Sequence, residues 1–130
     1  MADHPNVENI RRAYTAFKAG DMDTVSASFD DGITWHFGGN SPLSGDFVGK
    51  QDVFARLQRV GELTQGSRRF DIHTILADDE HAVVLVEGAL DHPKPYRGRE
   101  VHVWHLRDGL ATEFWDFFED QAAFDAALNA

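Results

Sequence analysis

Hydrophobic residues recur every three or four positions in three separate stretches of the first half of the chain. This spacing places them on one face of a helix, so it predicts three amphipathic helices. Gly20 ends the first stretch, Asp21 can cap the second, and Gly66 follows the third. The stretches are Val7, Ile10, Tyr14 and Phe17; Met22, Val25 and Phe29; and Val53, Phe54, Leu57 and Val60.

In the second half of the chain, residues 69–76 alternate with a period of two, which is typical of β-strands. Residues 81–90 are nearly all apolar, as expected of a strand covered on both faces. A first strand is predicted between the second and third helices, followed by a Gly-rich loop over residues 38–49. Asp120 can cap a short C-terminal helix that carries Phe124 and Leu128. The predicted strands are 33–37, 69–76, 81–90, 101–106 and 110–118. Because helices come first and a meander of strands follows, we predict an α+β fold with a mostly antiparallel sheet.

The composition predicts a single domain over residues 1–130 that can bury a core of its own. Aromatic residues make up 12% of the chain, enough to line a cavity as well as to fill a core. A formal net charge of −10 argues against nucleic acid and against docking on anionic lipid, and it favours a neutral or weakly charged ligand. The absence of Cys excludes disulfides, thiol nucleophiles and thiolate metal sites.

The N-terminal residues 1–5 lack the basic and apolar pattern of a signal peptide, and no apolar run is long enough to span a bilayer. We therefore expect a cytoplasmic protein that does not act at a membrane.

Several short phrases resemble one protein family, and the order of the predicted elements agrees with it. The phrases are Ala19-Gly20-Asp21, Phe29-Asp30-Asp31, Ser41-Pro42-Leu43-Ser44-Gly45, Leu106-Arg107-Asp108-Gly109 and Glu113-Phe114-Trp115-Asp116. Together they resemble the SnoaL-like, ketosteroid-isomerase-related branch of the nuclear-transport-factor-like superfamily. The resemblance implies a cone-shaped α+β barrel, in which a curved sheet wraps on three N-terminal helices around one hydrophobic pocket. It also implies a homodimer that forms through the sheet.

The same resemblance implies three catalytic residues. The first strand is similar to the stretch that carries the general-base aspartate of ketosteroid isomerases, and His36 falls at that base. His102 falls at or beside the protonated aspartic acid of the isomerase oxyanion hole. Asp116 looks like the catalytic aspartate of epoxide hydrolases and SnoaL-like cyclases. We therefore expect His36, His102 and Asp116 to converge on one ligand atom.

The sequence also departs from the relatives whose reactions are defined. Both positions of the isomerase carboxyl pair hold His, and the helix-one Tyr of the oxyanion hole falls near Ala13 rather than at Tyr14. The Arg-x-Asp of epoxide hydrolases would fall in 87–90, where no Arg is present. Neither ketosteroid isomerisation nor limonene epoxide opening is therefore expected as such.

The polar candidates leave structural alternatives open. Alternation along the strand allows His102 to face either side of the sheet, with His105 on the opposite side. Asp116 either lines the pocket or pairs with an Arg such as Arg68 or Arg69. No His pair has helical i,i+4 spacing, so we expect no metal site. The residues expected to contact the ligand are Tyr14, Phe17, Trp35, Asn40, Phe54, Phe114 and Phe118.

The leading hypothesis is acid–base catalysis without a cofactor, by isomerisation, cyclisation or dehydration of a small hydrophobic carbonyl compound. A His exchanges protons near neutral pH, and a nearby carboxyl group can act as its partner. One alternative is a binding protein that carries an apolar metabolite unchanged. Another is a protein–protein role for the outer face of the sheet.

Overall fold

The computed structural model describes residues 3–130, which form four helices and six strands. Their order is α1 (Pro5–Ala19), α2 (Met22–Ala27), β1 (Phe29–Phe37), β2 (Gly45–Val48), α3 (Gly49–Thr64), β3 (Arg69–Ala77), β4 (His81–Leu90), β5 (Tyr96–Arg107), β6 (Leu110–Phe118) and α4 (Gln121–Leu128). Within these residues, none of the helices combines the length and the hydrophobicity that crossing a bilayer requires.

Local signals in the sequence determine where the helices begin and end. Pro5 opens α1, and the side chain of His4 accepts a hydrogen bond from the Asn6 amide at 3.1 Å. Gly20 ends α1 with φ of 74°, a left-handed conformation that glycine adopts without strain. Asp21 then caps α2 by accepting from the Thr24 amide. The two helix ends therefore produce a tight corner between α1 and α2.

The six strands form one open, curved sheet in the order β2-β1-β6-β5-β4-β3. All neighbouring strands are antiparallel except β1 and β6, which pair in parallel with Trp35 opposite Phe114. The predicted α+β class and the mostly antiparallel sheet are confirmed. The sheet does not close, because β2 and β3 remain as free edges.

Alternation along the strands gives the sheet two different faces. The inner face packs against α1 and α3 and carries Ile33, Trp35 and Phe37 of β1. Two hydrophobic clusters result, a large one beneath these helices and a smaller one around Phe124 of α4. The polar residues that share the inner face are consequently removed from solvent.

Three boundaries differ from the prediction. Phe29 opens β1 instead of ending the helical stripe, because the Ser28 carbonyl accepts from the Ala111 amide of β6 and the chain joins the sheet there. The predicted loop 38–49 contains β2, whose four residues are too few to show a period. β5 begins at Tyr96 rather than at residue 101, because residues 97–100 are charged residues and Gly98 and show no alternation of apolar and polar positions.

Candidate functional site

A cavity lies between the inner face of the sheet and the helices α1, α3 and α4. Its empty volume is about 730 Å³, a value that includes the mouth open to solvent. Most of its wall is aromatic and aliphatic, as in small-molecule sites generally. The aromatic residues of the wall are Tyr14, Phe17, Phe29, Trp35, Phe37, Phe70, Trp104, Phe114 and Phe124. Four charged or titratable residues besides Tyr14 also reach it: Arg56, Arg68, His102 and Asp116.

His102 is the centre of the polar part of the cavity, and its side chain is only 2% exposed. Its Nδ1 lies 2.5 Å from the hydroxyl oxygen of Tyr14, which also accepts a hydrogen bond from Trp104 Nε1 at 3.1 Å. Its Nε2 lies 3.4 Å from both Glu100 Oε1 and Asp116 Oδ2. The imidazole therefore connects a tyrosine hydroxyl on α1 with two carboxyl groups on β5 and β6.

Arg68, just before β3, holds the two carboxyl groups from the other side. Its Nη2 donates to Glu100 Oε1 at 2.6 Å and lies 3.7 Å from Asp116 Oδ2. Glu100 fits because Gly88 of the neighbouring strand has no side chain. A Cβ added at Gly88 would lie 1.8 Å from Glu100 Oε2. The remaining carboxyl oxygens of these two residues, Glu100 Oε2 and Asp116 Oδ1, are both buried without a hydrogen-bond partner in the described chain.

The two carboxyl groups have opposite pKa shifts. Burial raises the pKa of Asp116 to about 6, although the charge of His102 opposes this. For Glu100, burial also acts upward, but the hydrogen bond from His102 and the charge of Arg68 outweigh it and bring the pKa to about 2. At neutral pH Glu100 is a permanent anion, whereas Asp116 can exchange a proton.

The pKa of His102 is raised well above its ordinary value. Burial acts in the opposite direction, but the charge of Asp116 and the hydrogen bonds to the two carboxyl groups outweigh it. Burial is the main cause that raises the pKa of Tyr14, so its hydroxyl stays protonated. At neutral pH the imidazole is therefore cationic and the tyrosine neutral.

The atoms of Glu100, His102 and Asp116 lie within 4.8 Å of one another and could in principle ligate a metal ion. Their arrangement does not favour one. Arg68 already places its guanidinium against both carboxyl groups, and a cation there would repel a second.

The structure brings six of the predicted residues to this cavity. Asp116 and His102 both face it, which answers the question left open by strand alternation, and His105 lies on the opposite face. Asp116 also pairs with Arg68, so the two roles considered for it coexist. The other predicted residues that line the cavity are Tyr14, Phe17, Trp35 and Phe114.

His36 is on the other side of the sheet, contrary to the expected convergence with His102 and Asp116. Its neighbours Trp35 and Phe37 face the core, so alternation turns His36 outward. There its Nδ1 is 2.7 Å from Asp46 and its Nε2 is 2.6 Å from Glu113. The ring stacks on Trp115 with 5.0 Å between centroids. His36 therefore belongs to an ion-pair cluster of the outer face.

Three predicted ligand contacts are also absent from the cavity wall. Asn40 is exposed, and its backbone amide donates to Asp125 at 2.7 Å, so it joins the loop to α4. Phe54 is turned along α3 and packs on Phe29 rather than on the cavity. Phe118 lies behind the wall, stacked on Phe124 with 4.1 Å between centroids.

Sequence reasoning missed Arg56, Glu100 and Trp104, and it named Arg68 only as an alternative partner of Asp116. Arg56 lies in the middle of α3 and is 7% exposed, between Val53 and Val60 on the buried face. Its position at i+3 from a buried Val was the one available signal. Glu100 and Trp104 lie two residues before and after His102 in β5, so all three side chains point to the inner face of the sheet. Strand alternation counted from His102 would therefore have predicted both. Arg68 was expected only as one of two possible partners of Asp116, and the structure selects it over Arg69.

The family model for the SnoaL-like domain matches residues 10–114, most of the chain. The chain belongs to the SnoaL-like family. The match agrees with the resemblance described above, and the structural neighbours have the same fold.

Three similar proteins cover nearly the whole domain. Bal32a, from a soil-derived mobile gene cassette, has a TM-score of 0.89 and 29% identity over 95% of each chain. TerC, solved as a co-crystal with polyporic acid, has a TM-score of 0.84 and 23% identity over 98% of this chain and 100% of TerC. The uncharacterized protein Rv0034 of Mycobacterium tuberculosis H37Rv is 24% identical over 97% of this chain and 98% of its own length.

The space over Gly88 yields a stability prediction. Gly88→Ala forces Glu100 away from Arg68, so we expect a loss of about 1–3 kcal/mol in the free energy of unfolding. The matched control is Gly61→Ala in α3, where an added Cβ meets no atom within 4 Å and should stabilise by about 1 kcal/mol. Urea denaturation measures both. Equal effects of the two substitutions would contradict the placement of Glu100.

The outer position of His36 yields a pH prediction. Burial acts downward on its pKa, but hydrogen bonds to Asp46 and Glu113 raise it overall. A His whose pKa is higher in the folded protein than in the unfolded chain stabilises the fold fully at pH values below the unfolded-state pKa, near 6.5. This contribution is lost as the pH rises through the pKa of the folded protein. We therefore expect His36→Gln to destabilise by at most about 1 kcal/mol at pH 6 and by less at pH 8.5.

Thermal unfolding at the two pH values tests this. His73→Gln is the control, because the exposed side chain of His73 makes no hydrogen bond or ion pair within residues 3–130. A larger loss for His36→Gln at pH 8.5 than at pH 6 would contradict the assignment.

Proposed function

We propose that this protein catalyses acid–base chemistry, without a cofactor, on a small hydrophobic carbonyl compound bound in the cavity. The observation that carries the proposal is the carboxyl group of Asp116, which sits beside His102 in an aromatic-walled cavity with one oxygen unpaired. Isomerisation, cyclisation and dehydration all begin with removal of a proton next to a carbonyl. This is the step assigned to Asp116.

Asp116 has the properties of a general base. A pKa of about 6 leaves it mostly ionised at neutral pH, yet far more basic than an exposed aspartate. Its Oδ2 faces His102 and Arg68, while Oδ1 is buried without a hydrogen-bond partner among the described residues, which leaves its lone pairs free to accept a proton. The free oxygen takes the proton, and the paired oxygen keeps the carboxyl group in place.

Tyr14 is the candidate acid that stabilises the oxygen of the substrate. When His102 is cationic, its Nδ1–H donates to the Tyr14 oxygen, as Trp104 Nε1–H also does. That oxygen then accepts two hydrogen bonds, which leaves its own O–H as a donor for a ligand in the cavity. Donors aimed at an oxygen that gains negative charge are more effective in a dry site than in water.

The surroundings support this division of roles. Arg68 and Glu100 make a buried ion pair that positions Asp116 and His102 and does not itself need to react. The apolar wall excludes water and orients an aromatic or cyclic ligand. Membership of the SnoaL-like family, and the co-crystal of the similar protein TerC with polyporic acid, support the proposal of a small organic ligand.

Deuterium exchange tests the proposed step with a defined compound. We expect the protein to accelerate exchange of the C1 hydrogens of 2-tetralone, an apolar ketone, in deuterated buffer followed by NMR. Asp116→Asn should reduce this acceleration at least about 100-fold. In the wild type the rate should rise with pH through about 6 and then level off, since the base must be ionised.

Asp71→Asn is the matched control, because Asp71 is exposed on β3 and remote from the cavity. It should exchange deuterium at the wild-type rate. Equal rates for Asp116→Asn and the wild type would rule out Asp116 as the base.

Non-catalytic binding is the second candidate. It is favoured by the contacts of Asp116 with two cations, since a neutralised carboxylate is a weaker base. In this case 2-tetralone or a co-purified molecule binds but is recovered without exchange. Native mass spectrometry of freshly purified protein identifies such a molecule.

We also propose a homodimer that forms through the outer face of the sheet. This face carries Phe117, which is 55% exposed, opposite Val101, and Trp115 opposite Val103. Contiguous apolar side chains on a sheet are typical of interfaces. The family resemblance predicts a partner at the same place.

The dimer can be tested by sedimentation. We expect wild-type protein to sediment as a dimer and Phe117→Asp as a folded monomer, because the new charge would be buried at the contact. Val48→Asp is the control: Val48 is 63% exposed but lies on edge strand β2, away from the proposed contact. A monomeric wild type at high concentration would contradict the proposal.

A further inference from the structure

Arg56 is a buried cation in the wall of the cavity. It projects from the middle of α3, and its Nε donates to the Leu43 carbonyl at 3.1 Å. Its guanidinium carbon lies 3.1 Å from the ring centroid of Phe37, which holds the planar group against the aromatic wall. The residue is 7% exposed, so solvent screens its charge poorly.

The pairing of Arg56 differs from that of Arg68. Arg68 has Glu100 within 2.6 Å and Asp116 within 3.7 Å. Among residues 3–130, no carboxylate lies within 4 Å of the Arg56 guanidinium, and its two Nη atoms make no hydrogen bond. These atoms are also not among the sealed polar atoms of the interior. They are therefore open to the cavity.

An unpaired buried cation is costly, because it loses water without gaining a counter-ion. Burial lowers the pKa of Arg56 to about 9, despite the opposing charge of Asp116, so it remains cationic at neutral pH. A hydrophobic side chain would pack on Phe37 without this cost. A ligand that brings an acceptor oxygen would restore the missing pairing.

We propose that Arg56 forms an anion subsite of the cavity, which binds an acidic oxygen group, ionised at neutral pH, on an otherwise apolar ligand. A carboxylate and an acidic enol both provide this chemistry, and both can accept from the fork of a guanidinium. The inference rests on the proposed function for the view that the cavity holds a ligand. It adds that this ligand carries a negative charge at one end.

The subsite also gives the ligand a direction. Arg56 and Asp116 line the same cavity but are held by different partners. Leu43 and Phe37 contact Arg56, whereas His102 and Arg68 contact Asp116. An acidic group bound at Arg56 restricts which carbon atoms can approach the free Asp116 oxygen. Binding energy at the subsite would thus position the reacting atom.

Titration with matched probes tests the subsite directly. The fluorescence of Trp35 and Trp104, which line the cavity, reports binding of 2-naphthoate and of its neutral isostere 2-naphthamide. We expect wild-type protein to bind the carboxylate at least about 10-fold more tightly than the amide. Arg56→Met should abolish this preference and leave the affinity for the amide within about two-fold.

The control is Arg59→Met, an exposed arginine three residues further along α3, which should retain the full preference. Arg56→Lys keeps the charge without the planar fork and should retain part of it. A second pair, 2-hydroxy-1,4-naphthoquinone and 1,4-naphthoquinone, distinguishes an acidic enol from a carboxylate as the preferred group. If Arg56→Met does not fold, the ¹⁵N shift of Arg56 Nε–H in wild-type protein must move with naphthoate and not with naphthamide.

The proposal is overturned if wild-type protein binds 2-naphthoate no better than 2-naphthamide, whether both bind or neither does. A preference that survives in Arg56→Met also overturns it. Failure of catalysis gives a different result, in which deuterium exchange is absent while the Arg56-dependent preference remains. The two hypotheses can therefore fail separately.

Discussion

The buried ion pair between Arg68 and Glu100 is the interaction on which the polar part of the cavity depends. Both side chains are almost completely removed from solvent, and their closest atoms are 2.6 Å apart. Removing either partner leaves an uncompensated buried charge, which typically costs about 3–5 kcal/mol. His102 and Asp116 each contact a member of this pair, so their positions follow from it.

The two carboxyl groups of this cluster contribute to the stability of the fold with opposite pH dependence. The pKa of Glu100 is lowered to about 2, so ionised Glu100 stabilises the fold at pH values above its pKa in the unfolded chain. This stabilisation is lost as the pH falls through about 2. The pKa of Asp116 is raised to about 6, so its stabilising contribution is present below its unfolded value and is lost as the pH rises through about 6. A proton-exchanging carboxyl group is thus retained at neutral pH by the stability that its neighbours supply.

Much of the fold could be predicted from the sequence because it depends on periodicity, whereas the site depends on tertiary contacts. Period-two alternation correctly predicted β3 and β6, and a nearly continuous apolar run predicted β4. The alternation rule applied to Trp35 and Phe37 places His36 outside. The expectation for His36 followed the family resemblance instead, and it was wrong. The burial of Arg56 and Arg68 was not predicted, because a charged residue is normally exposed and helical spacing alone does not outweigh that expectation.

Net charge and local charge differ sharply in this chain. A formal charge of −10 favoured a neutral ligand, because it describes the average field of the surface. Two guanidinium groups, a cationic imidazole and the Asp116 carboxyl group line the cavity, and Glu100 pairs with Arg68 behind them, so the interior carries more positive than negative charge. Low dielectric surroundings make these few groups more important to a bound molecule than the many solvated acids outside. On the proposed function, selectivity for the ligand is set by which buried cations already have a carboxylate partner, and among residues 3–130 no carboxylate lies within 4 Å of the Arg56 guanidinium.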